Sequence, residues 1–140
     1  MRSGHPQAVG SRAIVFVDGQ NLFRAAKDAF GYHYPNYDIK KLADTICSSR
    51  GWIAVENRFY TGIPDRKDDP LWHDFWSAKL AHMGRSMTVV YKRPLRYSDE
   101  TIPLPDGTKK IVRRPREKGI DIRLALDMVR AALLIFASLK

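Results

Sequence analysis

A chain of 140 residues with 44% hydrophobic and 28% charged side chains is long and apolar enough for one globular domain, which excludes a disordered polymer. Its 24 Lys and Arg against 15 Asp and Glu give a formal net charge of +9. That excess points to an anionic partner, nucleic acid or a membrane surface, against the alternative of a merely basic protein. The single cysteine, Cys47, excludes an intrachain disulfide and a cysteine-held zinc ion, and fits a reducing cytoplasm.

Met1 to Arg12 is polar, lacks a signal-peptide core and reads as a flexible tail, with the domain expected over residues 13–140. Ala13 to Val17 is a continuous apolar run rich in β-branched residues. It predicts a strand buried on both faces, in the middle of a parallel sheet covered by helices. Asp18 ends that strand, at the sheet edge where open α/β folds place ligand sites. Position alone leaves two readings of Asp18 open: a chemical group, or the cap of the next helix.

Gln20 to Phe30 has helical spacing, with Gly31 as its stop. The aromatic loop Tyr32 to Tyr37, with Pro35, is open to two readings, a cover for the site or packing over the sheet edge, and reads as packing. Asp38 caps an amphipathic helix with Ile39, Leu42, Ala43, Ile46 and Cys47 on one stripe, ended by Gly51. Trp52 to Thr61 reads as a strand. Asp69-Pro70 opens a helix to Met83, stopped by Gly84, and Ser86 to Arg93, including Met87, reads as a third strand. Strands separated by helices predict right-handed crossovers and a parallel sheet. The loops after Asp18, Thr61 and Tyr91 then share one end.

Residues 94–116 break the pattern with four prolines and a Pro-Asp-Gly turn at 105–107, and predict an edge hairpin. Lys92, Arg93, Arg96, Lys109, Lys110, Arg113, Arg114, Arg116 and Lys118 face only Asp99, Glu100, Asp106 and Glu117. Nine cations less four acids supply +5 of the +9. A basic arm with Tyr91 and Tyr97 interleaved suits a nucleic-acid backbone, against the alternative of a solvated surface hairpin. A last helix starts near Gly119; its wide apolar arc predicts substantial burial. Asp121 sits in its first turn, and Asp127 lies about 120° around the axis, so helix geometry does not bring the two together. Ala131 to Leu139 is too short to span a bilayer and reads as either more helix or a short strand. His5, His33, His73 and His82 lack ligand spacing and read as structural.

Three motifs stand together: Val17-Asp18-Gly19-Gln20-Asn21-Leu22, Glu117-Lys118-Gly119-Ile120-Asp121 and Leu124-Ala125-Leu126-Asp127-Met128. They resemble the NYN domain, a LabA-like branch of the PIN-like nuclease superfamily, from about Ala13 to Arg130. The resemblance implies a three-layer α/β/α sandwich with a mostly parallel central sheet and metal-dependent hydrolysis of RNA by an endoribonuclease. It implies Asp18 and Asp121 as ligands of Mg²⁺ or Mn²⁺, Asn21 as their catalytic neighbour, and Asp127 as a structural or supporting aspartate. Lys118, Arg116 and the arm are expected to hold RNA. In the family, another strand with a Ser-x-Asp-x-Asp type motif follows the late helix; here no acid follows Asp127, as truncation or a frameshift would leave it.

Two carboxylates make a poor cage for Mg²⁺. A missing strand leaves an open sheet edge, a route to a homodimer. The competing class is therefore a non-catalytic RNA-binding or regulatory module that keeps the basic arm. A haloacid dehalogenase phosphatase wants Asp-x-Asp where Gln20 stands. A dinucleotide site wants Gly-x-Gly-x-x-Gly, which is absent here.

Overall fold

The computed structural model describes residues 10–138. In chain order it contains β1 (Ser11–Asp18), α1 (Gly19–Phe30), α2 (Ile39–Ser49), β2 (Trp52–Ile63), α3 (Pro70–Arg85), β3 (Thr88–Pro94), β4 (Arg96–Pro103), β5 (Lys109–Arg116) and α4 (Ile120–Ser138). The first three strands form one parallel sheet in the order β1-β2-β3, and β4 and β5 form a separate antiparallel hairpin. This is the expected mixed α/β fold, with the parallel sheet between helices.

The alternation of β2 separates the two helical layers. Phe59, fully buried, joins Ile39 of α2 and Trp76, Leu80 and Met83 of α3 in the main core. Its neighbour Tyr60, also buried, points the other way and donates a hydrogen bond to Asp127 of α4. Successive side chains of a strand face opposite sides. One sheet face therefore carries α2 and α3, and the other carries α4. Val17, Leu22 and Val90 pack against the main core from β1, α1 and β3.

Helix ends follow local chemistry. Asp18, Asp38 and Asp69 each accept a hydrogen bond from a backbone N–H in the first turn of the helix they open. These bonds satisfy donors that have no partner inside the helix. Gly31 takes the left-handed conformation, φ 70°, and its N–H reaches Lys27 O at 2.8 Å.

Several expectations need correction. β1 is not the middle of the sheet: among the described residues it is an edge strand, half-buried from Ala13 to Asp18, and β2 is central. A fully apolar strand is compatible with either place, because the helices cover the faces of both. Residues 1–9 of the expected tail lie outside the described residues, and so does His5; Ser11 and Arg12 already belong to β1. α3 continues through Gly84 to Arg85, since the left-handed position that ends it falls on Met87 (φ 65°). Met87 is 85% exposed and precedes β3, so it is no strand residue. Ala131 onward continues α4 as helix.

α4 is also less buried than its composition predicts. Ile120, Leu124, Asp127 and Ala131 face inward, while Ile122, Leu126, Val129 and Leu133 are more than half exposed. The helix packs mainly on β1 and β2. None of the described helices is long and apolar enough to cross a membrane.

Candidate active site at the carboxyl edge of the sheet

The ladder register puts Asp18, Tyr60 and Tyr91 on one level, so the loops after them do share one end of the sheet. There Asp18, Gln20, Asn21, Arg24, Glu117 and Asp121 line a pocket of about 270 Å³. Asp18 comes from the end of β1, Glu117 from the turn after β5 and Asp121 from the first turn of α4. Three carboxylates from three separate elements thus meet one cavity.

Asp18 is the cap of α1, and its carboxylate also lines the pocket. Its Oδ1 accepts from the Asn21 backbone N–H at 3.2 Å, which caps α1, and its Oδ2 accepts from Asn21 Nδ2 at 2.8 Å. Asn21 therefore fixes the carboxylate from two directions. Close approach of α1 to β2 depends on Gly19: a Cβ there would lie 2.9 Å from Tyr60 O and closer still to the Phe59 ring. Asp121 Oδ1 accepts from the Ile122 N–H at 2.9 Å.

Glu117 is the residue that sequence reasoning missed. It is half-buried, and its Oε2 is buried without a hydrogen-bond partner. A Cβ on Gly62 would come 3.5 Å from that oxygen and would overlap Leu95. Burial pushes the Glu117 carboxyl up from its ordinary range, and the charges of Asp18 and Asp121 push it further. The nearby Gly62 backbone and the Arg24 charge oppose the shift. The signal was present in the Glu117-Lys118-Gly119-Ile120-Asp121 motif, where Glu117 counted only as a charge. Arg24 and Gln20 were missed as well; Arg24 follows Asn21 by three residues, nearly one turn on the same helix face.

The donor chemistry fits a hard divalent cation: oxygen ligands only, one unpartnered, with repulsion a cation relieves. As the side chains stand, no three acidic, His or Cys groups among the described residues are disposed to hold a metal.

Asp127 is not in this pocket. It is buried, and accepts from Tyr60 Oη at 2.9 Å and from Arg123 Nε at 3.1 Å. Burial pushes its carboxyl up, but those hydrogen bonds and the charges of Arg123 and Arg58 prevail and hold it below the aspartate range. The Arg123 guanidinium also lies 4.7 Å from the Tyr91 ring centre. Lys92, Arg93, Arg96, Lys109, Lys110, Arg113, Arg114, Arg116 and Lys118 are all exposed, and none lines the pocket. Arg93 also approaches the motif, with Nη1 3.1 Å from where a Gly119 Cβ would stand.

His73 is structural, its Nδ1 2.8 Å from Pro64 O. A larger groove of about 720 Å³ lies between the Tyr32–Asn36 loop and α3, lined by no carboxylate. There Tyr34 stacks on Trp72 and packs against Phe75, the packing role expected of that loop.

A parallel α/β sheet with a carboxylate-lined pocket at its carboxyl edge has that pocket where open α/β folds place their ligand sites. The NYN domain family model matches residues 12–136, and the chain belongs to that family. The family is nuclease-type and RNA-associated, and its PIN-like relatives generally use divalent metals. No curated protein and no solved structure matches the chain.

Proposed function

We propose that the protein is a metal-dependent endoribonuclease that hydrolyses RNA phosphodiester bonds at the pocket of Asp18, Glu117 and Asp121. The observation that carries this reading is the meeting of three carboxylates in one pocket, one with a buried unpartnered oxygen. Glu117 is half-buried beside two further carboxylates, and burial first, then the charges of Asp18 and Asp121, push its carboxyl up. Mg²⁺ or Mn²⁺ bound there would relieve that repulsion, activate water and neutralise charge building on phosphorus.

The chain's own groups have distinct tasks. Asp18 and Asp121 would hold the ion, and Glu117 lines the same pocket. Asn21 keeps Asp18 oriented through its side-chain amide. Arg24, the cation lining the pocket, offers a guanidinium to a non-bridging phosphate oxygen. Hydrolysis breaks one P–O ester bond and forms a new P–O bond from water, the leaving oxygen taking a proton. Asp127 serves the fold through Tyr60 and Arg123 and does not meet substrate.

The test is cleavage of end-labelled single-stranded RNA by the purified chain. Cutting in Mn²⁺ that stops in excess EDTA supports the reading. Intact RNA in both conditions contradicts it.

A further inference from the structure

The hairpin of β4 and β5 has two chemically different faces. Directly paired residues of an antiparallel ladder share a face. The register puts Arg96 opposite Arg116 and Ser98 opposite Arg114, with Glu100 and Lys110 on that same side. Tyr97, Asp99, Lys109 and Arg113 lie on the other.

The Tyr97 and Arg113 end of the second face is tied to the body of the protein. The Asp65 N–H donates to Tyr97 Oη at 3.0 Å, and Arg113 Nε donates to Asp68 Oδ1 at 2.9 Å. The Arg113 guanidinium also lies 5.2 Å from the Tyr97 ring centre. Arg113 is thereby committed to the loop before α3.

The first face has four cations, Arg96, Lys110, Arg114 and Arg116, and one acid, Glu100. Glu100 lies 2.9 Å from Arg114 and 4.0 Å from Arg116, so it offsets one charge and leaves three. Arg96 directly opposes Arg116, and like charges so placed destabilise a ladder until an anion sits between them. Arg116 is followed at once by Glu117, so this face begins beside the carboxylate pocket. From Arg116 to Lys110 it extends about 20 Å, at roughly 3.3 Å per residue.

We propose that this one face, rather than all nine cations, is the track for the phosphates of a single RNA strand leading to the pocket. Arg113 is a positioning residue that holds the arm to the loop of Asp65 and Asp68. The inference rests on the nuclease reading for the identity of the strand as RNA.

The experiment is fluorescence anisotropy of a short labelled oligouridylate with the full chain in EDTA, across a salt series. Each single-strand phosphate neutralised contributes about 0.7 to the log–log salt slope, so three net charges give a slope near −2. Arg96→Gln and Arg116→Gln each reduce its magnitude by about 0.7. Arg113→Gln weakens binding about threefold with the slope unchanged, and Arg113→Lys, which keeps the pair with Asp68, restores affinity. The track is overturned if Arg113→Gln lowers the slope as much as Arg116→Gln does. It is overturned equally if Arg96→Gln and Arg116→Gln leave the slope untouched, or if an RNA duplex binds more tightly than the single strand. Manganese-dependent cleavage with unchanged slopes removes the track and leaves the nuclease reading standing. The expected slopes without cleavage support the track and remove catalysis.

Discussion

Tyr60 and Asp127, 67 residues apart, share a buried hydrogen bond of 2.9 Å that ties α4 to the central strand. Breaking it leaves a buried group without a partner, which costs about 1–3 kcal/mol. Asp127→Ala should therefore lower unfolding stability by about 2 kcal/mol, measured by urea titration, and Asp127→Asn by less because its amide oxygen still accepts. Asp127 is held below its ordinary value near 3.8, so its contribution is present above that pH and lost as the pH falls through the folded value. Asp127→Asn should show a shallower loss of stability in acid than the wild type.

Gly19→Ala tests the close approach of α1 to β2. Alanine is the better helix former, by about 1 kcal/mol. The clash with the Phe59 ring and with Tyr60 O, 2.9 Å from the new carbon, outweighs that gain. Because Phe59 is locked in the core, the net loss should be about 1–3 kcal/mol by thermal or urea unfolding.

For Glu117 the sign of the pH dependence is opposite to that of Asp127. Its folded-state pKa is raised, so its contribution is full below the ordinary glutamate value near 4.5 and is lost as pH rises through the folded value. The metal-free wild type should lose stability from this group on going from mildly acidic to neutral pH. Glu117→Gln should remove that part of the profile. It should also lessen the stabilisation gained from Mn²⁺ at neutral pH, read as the metal-induced rise in the thermal midpoint.

Much of this was legible in the sequence because the signals were local. Asp-Pro before α3, Asp38 before α2 and Gly31 after α1 set helix ends by capping chemistry within a few residues. Asp18, Asn21 and Asp121 were found by motif, and they do line one pocket. What escaped was set by tertiary context. The edge position of β1 depends on which strand pairs beside it, and an apolar run carries no record of that. Exposure of Ile122, Leu126 and Leu133 depends on whether a second layer flanks α4. Glu117 joins the site because its turn lies over Gly62, 55 residues earlier, a distance that no helical or strand period spans. The sorting of Arg113 from Arg116 needed the hairpin register, which fixes the faces only once pairing is known.

The central claim is that Asp18 and Asp121 hold the ion that cuts RNA. The most direct measurement compares Mn²⁺-dependent cleavage of labelled single-stranded RNA by the wild type, Asp18→Asn and Asp121→Asn, each checked for native circular dichroism. Either variant should lose at least about a hundredfold in rate, on the order of 3 kcal/mol of transition-state stabilisation. Folded variants that cut as fast as the wild type would contradict the account.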